Sequence, residues 1–158
     1  MSTIGAHRQS AYDVRLEWGA AGAAALAADT DLAVVVDVLS FTTTLTVAAG
    51  RGISVLPYRW TDDGAAEFAR EHGAALAVGR REALRDGRSD PSLSPASMAR
   101  PEVDVERLVL PSPNGATICA LLAESGTRVV GACLRNASAV AGWLAPQVRA
   151  GARVAVLA

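Results

Sequence analysis

The stretch VVVDVLSFTTT, Val34 to Thr44, decides the fold. Three β-branched apolar residues run into Asp37, then come a short apolar step, Ser40, Phe41 and three threonines. An unbroken apolar run is expected of a strand covered on both faces, as in a parallel sheet. Serine, threonine and aspartate are residues that open helices, because their side-chain oxygens accept from unpaired first-turn N–H groups. The stretch therefore reads as a strand over 32–37 that turns at once into a helix. SFTTTLTVAAGRG continues that helix from near Ser40 to a stop at Gly50 or Gly52. A carboxylate at the end of an all-apolar strand is costly to bury unless it is paired or bound to a metal. Asp37 is accordingly the sharpest single candidate for chemistry.

Working outward, the same rhythm repeats. YDVRLEW, Tyr12 to Trp18, alternates as a half-exposed strand does, and the Ala-rich GAAGAAALAAD after it is a short helix or a loop. ISVLPY is a strand, TDDGAAEFAREHG a helix with Thr61 and Asp62 as capping candidates and a stop at Gly73, and AALAVG a strand. Residues 80–106, rich in Ser, Pro and charge, read as a long surface excursion. ERLVLPSPNGATICALLAES and TRVVGACLRNASAVAGWLAPQVRAG each give strand, turn and helix, and ARVAVLA is a last strand. This alternation predicts one α/β domain over 1–158, a three-layer α/β/α sandwich around a mostly parallel (mixed) sheet. The last strand is apolar at nearly every position, and no helix follows it. It is therefore expected to present an uncovered face and an unpaired edge, as in a fragment that lacks its C-terminal part, and to favour association into a homo-oligomer.

Composition narrows the function. The chain has 158 residues, 20% charged, with a formal net charge of −1, which favours neither nucleic acid nor a membrane as partner. Every basic residue other than histidine is arginine, so no lysine can form a Schiff base or complete a P-loop. Cys119 and Cys133 lie in apolar runs without nearby histidines and read as small buried hydrophobes rather than a zinc site. There is no basic-then-apolar leader and no apolar stretch of about 20 residues, so a cytoplasmic protein is expected. GxGxxG after the first strand, GxxxxGK[ST] and GxSxG are all missing, which removes dinucleotide, Walker-type and serine-elbow readings.

Three strand-to-helix turns carry small polar residues: DVLSFTTT with Asp37, Ser40, Thr42 and Thr43; PSPNGAT with Asn114 and Gly115; and LRNASAV with Arg135, Asn136 and Ser138. In open α/β sheets ligands bind beyond the carboxyl ends of strands, and helix N-termini there favour anions. Each turn alone is equally an ordinary cap, but three along one sheet edge point to a phosphate site.

Taken together and in order, VVVDVLSFTTTLTVAAGRG, PSPNGATICALL and VVGACLRNASAVAGWL resemble the 2-phosphosulfolactate phosphatases over residues 32–158. The excursion keeps Ser94-Pro95 of that family's Gly-Asn-Ser-Pro element, with Ser92-Leu93 before it. The resemblance implies an α/β/α phosphatase dependent on Mg2+, acting on a small phosphorylated (sulfo)hydroxy acid on the route to coenzyme M. It implies Asp37 as metal ligand or nucleophile. Ser40, Thr42, Thr43, Asn114, Gly115, Arg135, Asn136 and Ser138 would bind the phosphoryl group. The alternative is a non-catalytic protein that binds a small phosphorylated or sulfonated anion at the same helix ends.

Overall fold

The structure is a computed structural model that describes residues 7–59, 64–79 and 91–158. In chain order the elements are β1 (Val14–Glu17), α1 (Gly19–Ala27), β2 (Leu32–Val35), α2 (Phe41–Gly50), β3 (Ser54–Arg59), α3 (Ala65–Glu71) and β4 (Ala75–Leu76). They continue with α4 (Pro95–Met98), β5 (Arg107–Ser112), α5 (Gly115–Glu124), β6 (Arg128–Gly131), α6 (Ala137–Arg149) and β7 (Val154–Leu157). Thr61 and Asp62 lie outside the described residues, as does the stretch 80–90 of the excursion.

The α/β class and its parallel strands follow the sequence. Every strand pair among the described residues is parallel. One expectation is corrected: the strands form two sheets, not one. The larger sheet has the order β1-β7-β2-β6 and the smaller the order β3-β5-β4. In the smaller sheet β5 pairs with β3 from Ser54↔Arg107 to Arg59↔Ser112 and with β4 at Ala75↔Leu108 and Leu76↔Val109. Apolar runs state that a strand is buried but not which neighbour it takes.

The larger sheet is a three-layer sandwich, and the alternation of side chains along β2 shows why. Ala33 and Val35 face Ala23 and Leu26 of α1 and Ile118 and Leu122 of α5. Leu32 and Val34 face the opposite way, toward Val140, Leu144 and Val148 of α6. Each fully buried leucine of this kind contributes about 1.5–3 kcal/mol from apolar area removed from water. The smaller sheet packs Leu108 and Leu110 of β5 against Phe41 and Ala48 of α2. Helix α5 touches strands of both sheets and so joins them.

The final strand also departs from expectation. Strand β7 is interior: Val154 pairs with Val14 of β1 on one side and with Leu32 of β2 on the other. Ala155 and Leu157 are covered from the α1–α5 side and Val154 from the α6 side. The covering helices come from earlier in the chain. The outer strands of this sheet are β1 and β6; along β1 the Gln9 side chain donates to the Leu16 carbonyl at 2.7 Å and accepts from the Leu16 N–H at 3.2 Å. That amide occupies part of the open ladder, one way natural sheets blunt an edge.

The described part of the excursion is tied down. Leu93 N–H donates to the Val78 carbonyl at 3.0 Å, and Met98 and Val103 are buried in the core under α2. Arg51, just past the end of α2, donates to the carbonyls of Met98, Arg100 and Val103 at 2.6–2.7 Å. Among the described residues no helix is long and apolar enough to cross a membrane.

Candidate active site

Asp37 lies two residues beyond β2, half-buried, where the chain bends into α2. Its main-chain carbonyl accepts from the Thr42 N–H at 2.9 Å, so the residue helps to close the first turn of α2. Its side chain points to a different helix. Oδ2 accepts from the Gly115 N–H, the first residue of α5, at 3.1 Å, and the buried Ser112 hydroxyl lies 3.5 Å from the same oxygen. The unpaired N–H groups and dipole of a helix N-terminus favour a negative charge there. The carboxylate thus sits between two helix starts and bridges the two sheets.

Glycine is required at 115 by close approach. A Cβ there would lie 2.2 Å from Phe41 Cδ1, 2.7 Å from Phe41 Cγ and 2.9 Å from Asp37 Oδ2. The first and second turns are therefore in direct contact. The third turn is joined differently. A Cβ at Gly131 would come 2.7 Å from Leu45 Cδ2 and 3.4 Å from Thr42 Cγ2, so β6 crosses close to α2. The Thr46 hydroxyl lies 3.4 Å from Cys133 Sγ.

The polar side chains of the three turns have different partners. The Ser40 hydroxyl is buried and donates to the Leu93 carbonyl at 2.6 Å, which ties the excursion to the start of α2. The Thr43 hydroxyl donates to the Val38 carbonyl at 2.8 Å. The Thr42 and Thr44 hydroxyls are buried with no hydrogen-bond partner among the described residues. A buried polar atom left unpaired costs about 1–3 kcal/mol, so these two invite a functional explanation. Asn136 uses its amide within its own turn: Oδ1 accepts from the Cys133 N–H at 2.8 Å and Nδ2 donates to the Gly131 carbonyl at 2.9 Å. Asn114, Arg135 and Ser138 are exposed.

A cavity of about 570 Å³ opens at the carboxyl ends of β1, β7 and β2. Asp37 and Asn114 line it, with Val36, Val38, Leu39 and Ile118; Arg135, Asn136 and Ser138 are not in its wall. The structure thus brings together Asp37, Asn114 and Gly115, keeps Thr42 close by, and sets the third turn to one side. Two participants were not legible in the sequence. Ser112 belongs to the PSPNGAT turn, but nothing in its type singles it out from the prolines around it. Phe41, whose ring forces glycine at 115, looks like an ordinary core residue.

Both cysteines are free: Cys133 is buried, as expected, beside the Thr46 hydroxyl, and Cys119 is half-buried. Cys119, one turn into α5, is pushed up to about 11 by burial and then by the Asp37 charge, so it stays protonated near neutrality. Burial would also raise Cys133, but the Thr46 hydroxyl and the Arg135 backbone N–H outweigh it and hold that thiol below its usual range.

A protein-family model described as 2-phosphosulpholactate phosphatase matches residues 23–157, which takes in all three turns. The chain belongs to this family. It is accordingly a phosphoric monoester hydrolase by family, and the non-catalytic alternative gives way to an enzyme. No curated protein matches the chain.

Proposed function

We propose that the protein is a Mg2+-dependent phosphatase that hydrolyses a small phosphorylated hydroxy acid of the 2-phosphosulpholactate type. The observation that carries this is the Asp37 carboxylate held at 3.1 Å by the first N–H of α5, at the mouth of a cavity beyond the strand ends. Water forms the new P–O bond, the P–O bond to the C2 oxygen of the substrate breaks, and that oxygen leaves with a proton from solvent. A place in coenzyme M synthesis and a cytoplasmic location accompany this reading, with a small-molecule acid as partner and neither nucleic acid nor membrane. Self-association is part of the proposal only through the outer strands β1 and β6 of the larger sheet, since β7 lies between β1 and β2.

The residues suit magnesium. Among the described residues no group of three or more His, Cys, Asp or Glu could form an all-protein cage. Magnesium needs none, since one or two carboxylates, substrate phosphate and several waters satisfy it. Asp37 would supply the carboxylate, through the oxygen that Gly115 leaves free. When bound, the ion neutralises charge on the phosphoryl group. The N–H groups at the start of α5 and Asn114 orient that group, and Thr42 lies close behind. Fixed donors of this kind stabilise charge as it develops in the transition state. Arg135 and Ser138, on the neighbouring turn, meet the outer part of the substrate.

The test is phosphate release from a panel of phosphorylated hydroxy acids, with magnesium and with a chelator. Release that requires the metal is expected. Full activity in the chelator, or none on any member of the panel, would remove the proposal.

A further inference from the structure

Ser112 is the last residue of β5 and is only 2% exposed. Side chains alternate across a strand, so Ser112 shares a face with Leu108 and Leu110, which pack against Phe41 and Ala48 of α2. A hydroxyl in that apolar row is costly to bury unless it finds a partner. Among the described residues its partner is Asp37, whose Oδ2 lies 3.5 Å away. The same oxygen takes the Gly115 N–H at 3.1 Å. Two donors, one from the end of a strand and one from the start of a helix, therefore converge on one carboxylate oxygen. Oδ1 takes no hydrogen bond among the described residues. The Ser112 contact is longer than the usual O–H···O bond of about 2.7–2.8 Å, so it adds little to stability. Its effect is on orientation. The last torsion of an aspartate is broad, and a second donor on Oδ2 narrows which oxygen the group turns outward.

We propose that Ser112 is a positioning residue for the metal: together with the Gly115 N–H it holds Asp37 Oδ2, and so leaves Oδ1 turned toward Mg2+. This deepens the Mg2+-dependent phosphatase reading and rests on it. Groups that orient a ligating side chain typically set metal affinity or activity by about 10–100-fold. Hydrogen bonds at reaction centres are often long in the free protein and tighten in the complex, which suits a contact of 3.5 Å. Ser112 acts through Asp37, keeps its proton, and makes or breaks no bond to phosphorus.

The test is Mn2+ binding to the 158-residue chain, followed by electron paramagnetic resonance with Mn2+ in place of Mg2+, beside thermal melting and phosphate release. Ser112→Ala leaves Asp37 its Gly115 N–H and is expected to weaken Mn2+ binding by at least about tenfold with the melting temperature unchanged. Phosphate release by this variant should recover as Mg2+ is raised. Ser112→Cys keeps the volume but is a weak donor, and is expected to lose affinity as alanine does. Parent-like Mn2+ affinity in either variant overturns the inference and leaves the phosphatase reading standing, and so does turnover lost at every Mg2+ concentration. In the cysteine variant such affinity would mark Ser112 as a packing residue; loss of turnover alone would mark it as a group that meets the substrate. A parent that binds Mn2+ but releases no phosphate ends the phosphatase reading, while the two titrations still decide the role of Ser112. A parent that binds no Mn2+ ends the metal and the inference together.

Discussion

Asp37 and Asn136 occupy equivalent places, each in the turn between a parallel strand and the helix that follows, and they behave in opposite ways. Asn136 satisfies its own turn, bonding the Cys133 N–H and the Gly131 carbonyl within five residues of itself. Asp37 leaves its turn and takes the Gly115 N–H, 78 residues away. One closes its own turn and the other joins two turns. Both are polar residues between a strand and a helix, and the difference between them is one of partner rather than of residue type. A side chain with local partners stabilises a turn; one that reaches another helix start defines a place where two elements can act on one ligand.

The largest break in this contrast is Asp37→Asn. The swap is nearly isosteric and removes only the charge, so the melting curve is expected to survive while magnesium-dependent phosphate release falls by about a thousandfold, the scale of losing a key electrostatic group. Full activity in this variant would make Asp37 a purely structural residue like Asn136.

Gly115→Ala tests the joint sterically. The added methyl would sit 2.2 Å from the Phe41 ring and 2.9 Å from Asp37 Oδ2. Overpacking of this kind costs about 1–3 kcal/mol. A lower urea midpoint together with reduced kcat is expected. An alanine variant as active as the parent would show that the contact of the two turns is not needed for turnover.

Asn136→Ala is the matching test of the locally closed turn. It leaves the Cys133 N–H and the Gly131 carbonyl without their side-chain partner, at a cost of about 1–3 kcal/mol for polar groups left unpaired. The expected pattern is the reverse of Asp37→Asn: a lowered melting temperature with kcat within about twofold of the parent, a difference of less than 0.5 kcal/mol. A collapse of kcat without loss of stability would move Asn136 into the reaction centre.

Arg135→Ala gives the smallest effect. The side chain is exposed, so stability should stay within about 0.5 kcal/mol of the parent. KM should rise by no more than about fivefold, as for the loss of an exposed ion pair of about 1 kcal/mol, with kcat unchanged. Initial-rate kinetics separate the two; no change at all would place Arg135 outside the substrate's reach.

Much of the fold was legible because burial on both faces leaves a strong mark. The apolar run from Leu32 read as a covered strand and is one, and Ser40 stands immediately before α2 as expected, although its hydroxyl goes to the Leu93 carbonyl instead of capping that helix. Two things were not legible, for physical reasons. Pairing order is a long-range property: the apolarity of ARVAVLA around β7 signals burial but not that β1 and β2 supply the neighbours, nor that α1, α5 and α6 supply the covers. In the site, residue types identified the three turns, but not how hydroxyls and amides would be shared. The Ser40 hydroxyl holds the Leu93 carbonyl, while the Thr42 hydroxyl two residues on has no partner among the described residues. Only the approach of other segments distinguishes them.

The position of β7 has a kinetic consequence. The strands of the smaller sheet all lie between residues 54 and 112, so its pairings need only modest loop closure. The larger sheet joins Val14 and Leu32 through Val154, which draws together segments from opposite ends of the chain. Contacts so distant in sequence slow folding, because the entropy of closing the long loop is lost before the contacts form. The smaller sheet can therefore assemble early, with β1 and β2 waiting for the strand that separates them. Asp37, at the end of β2, gains its final setting in that late step, so recovery of activity on refolding should follow formation of the larger sheet rather than the first appearance of secondary structure.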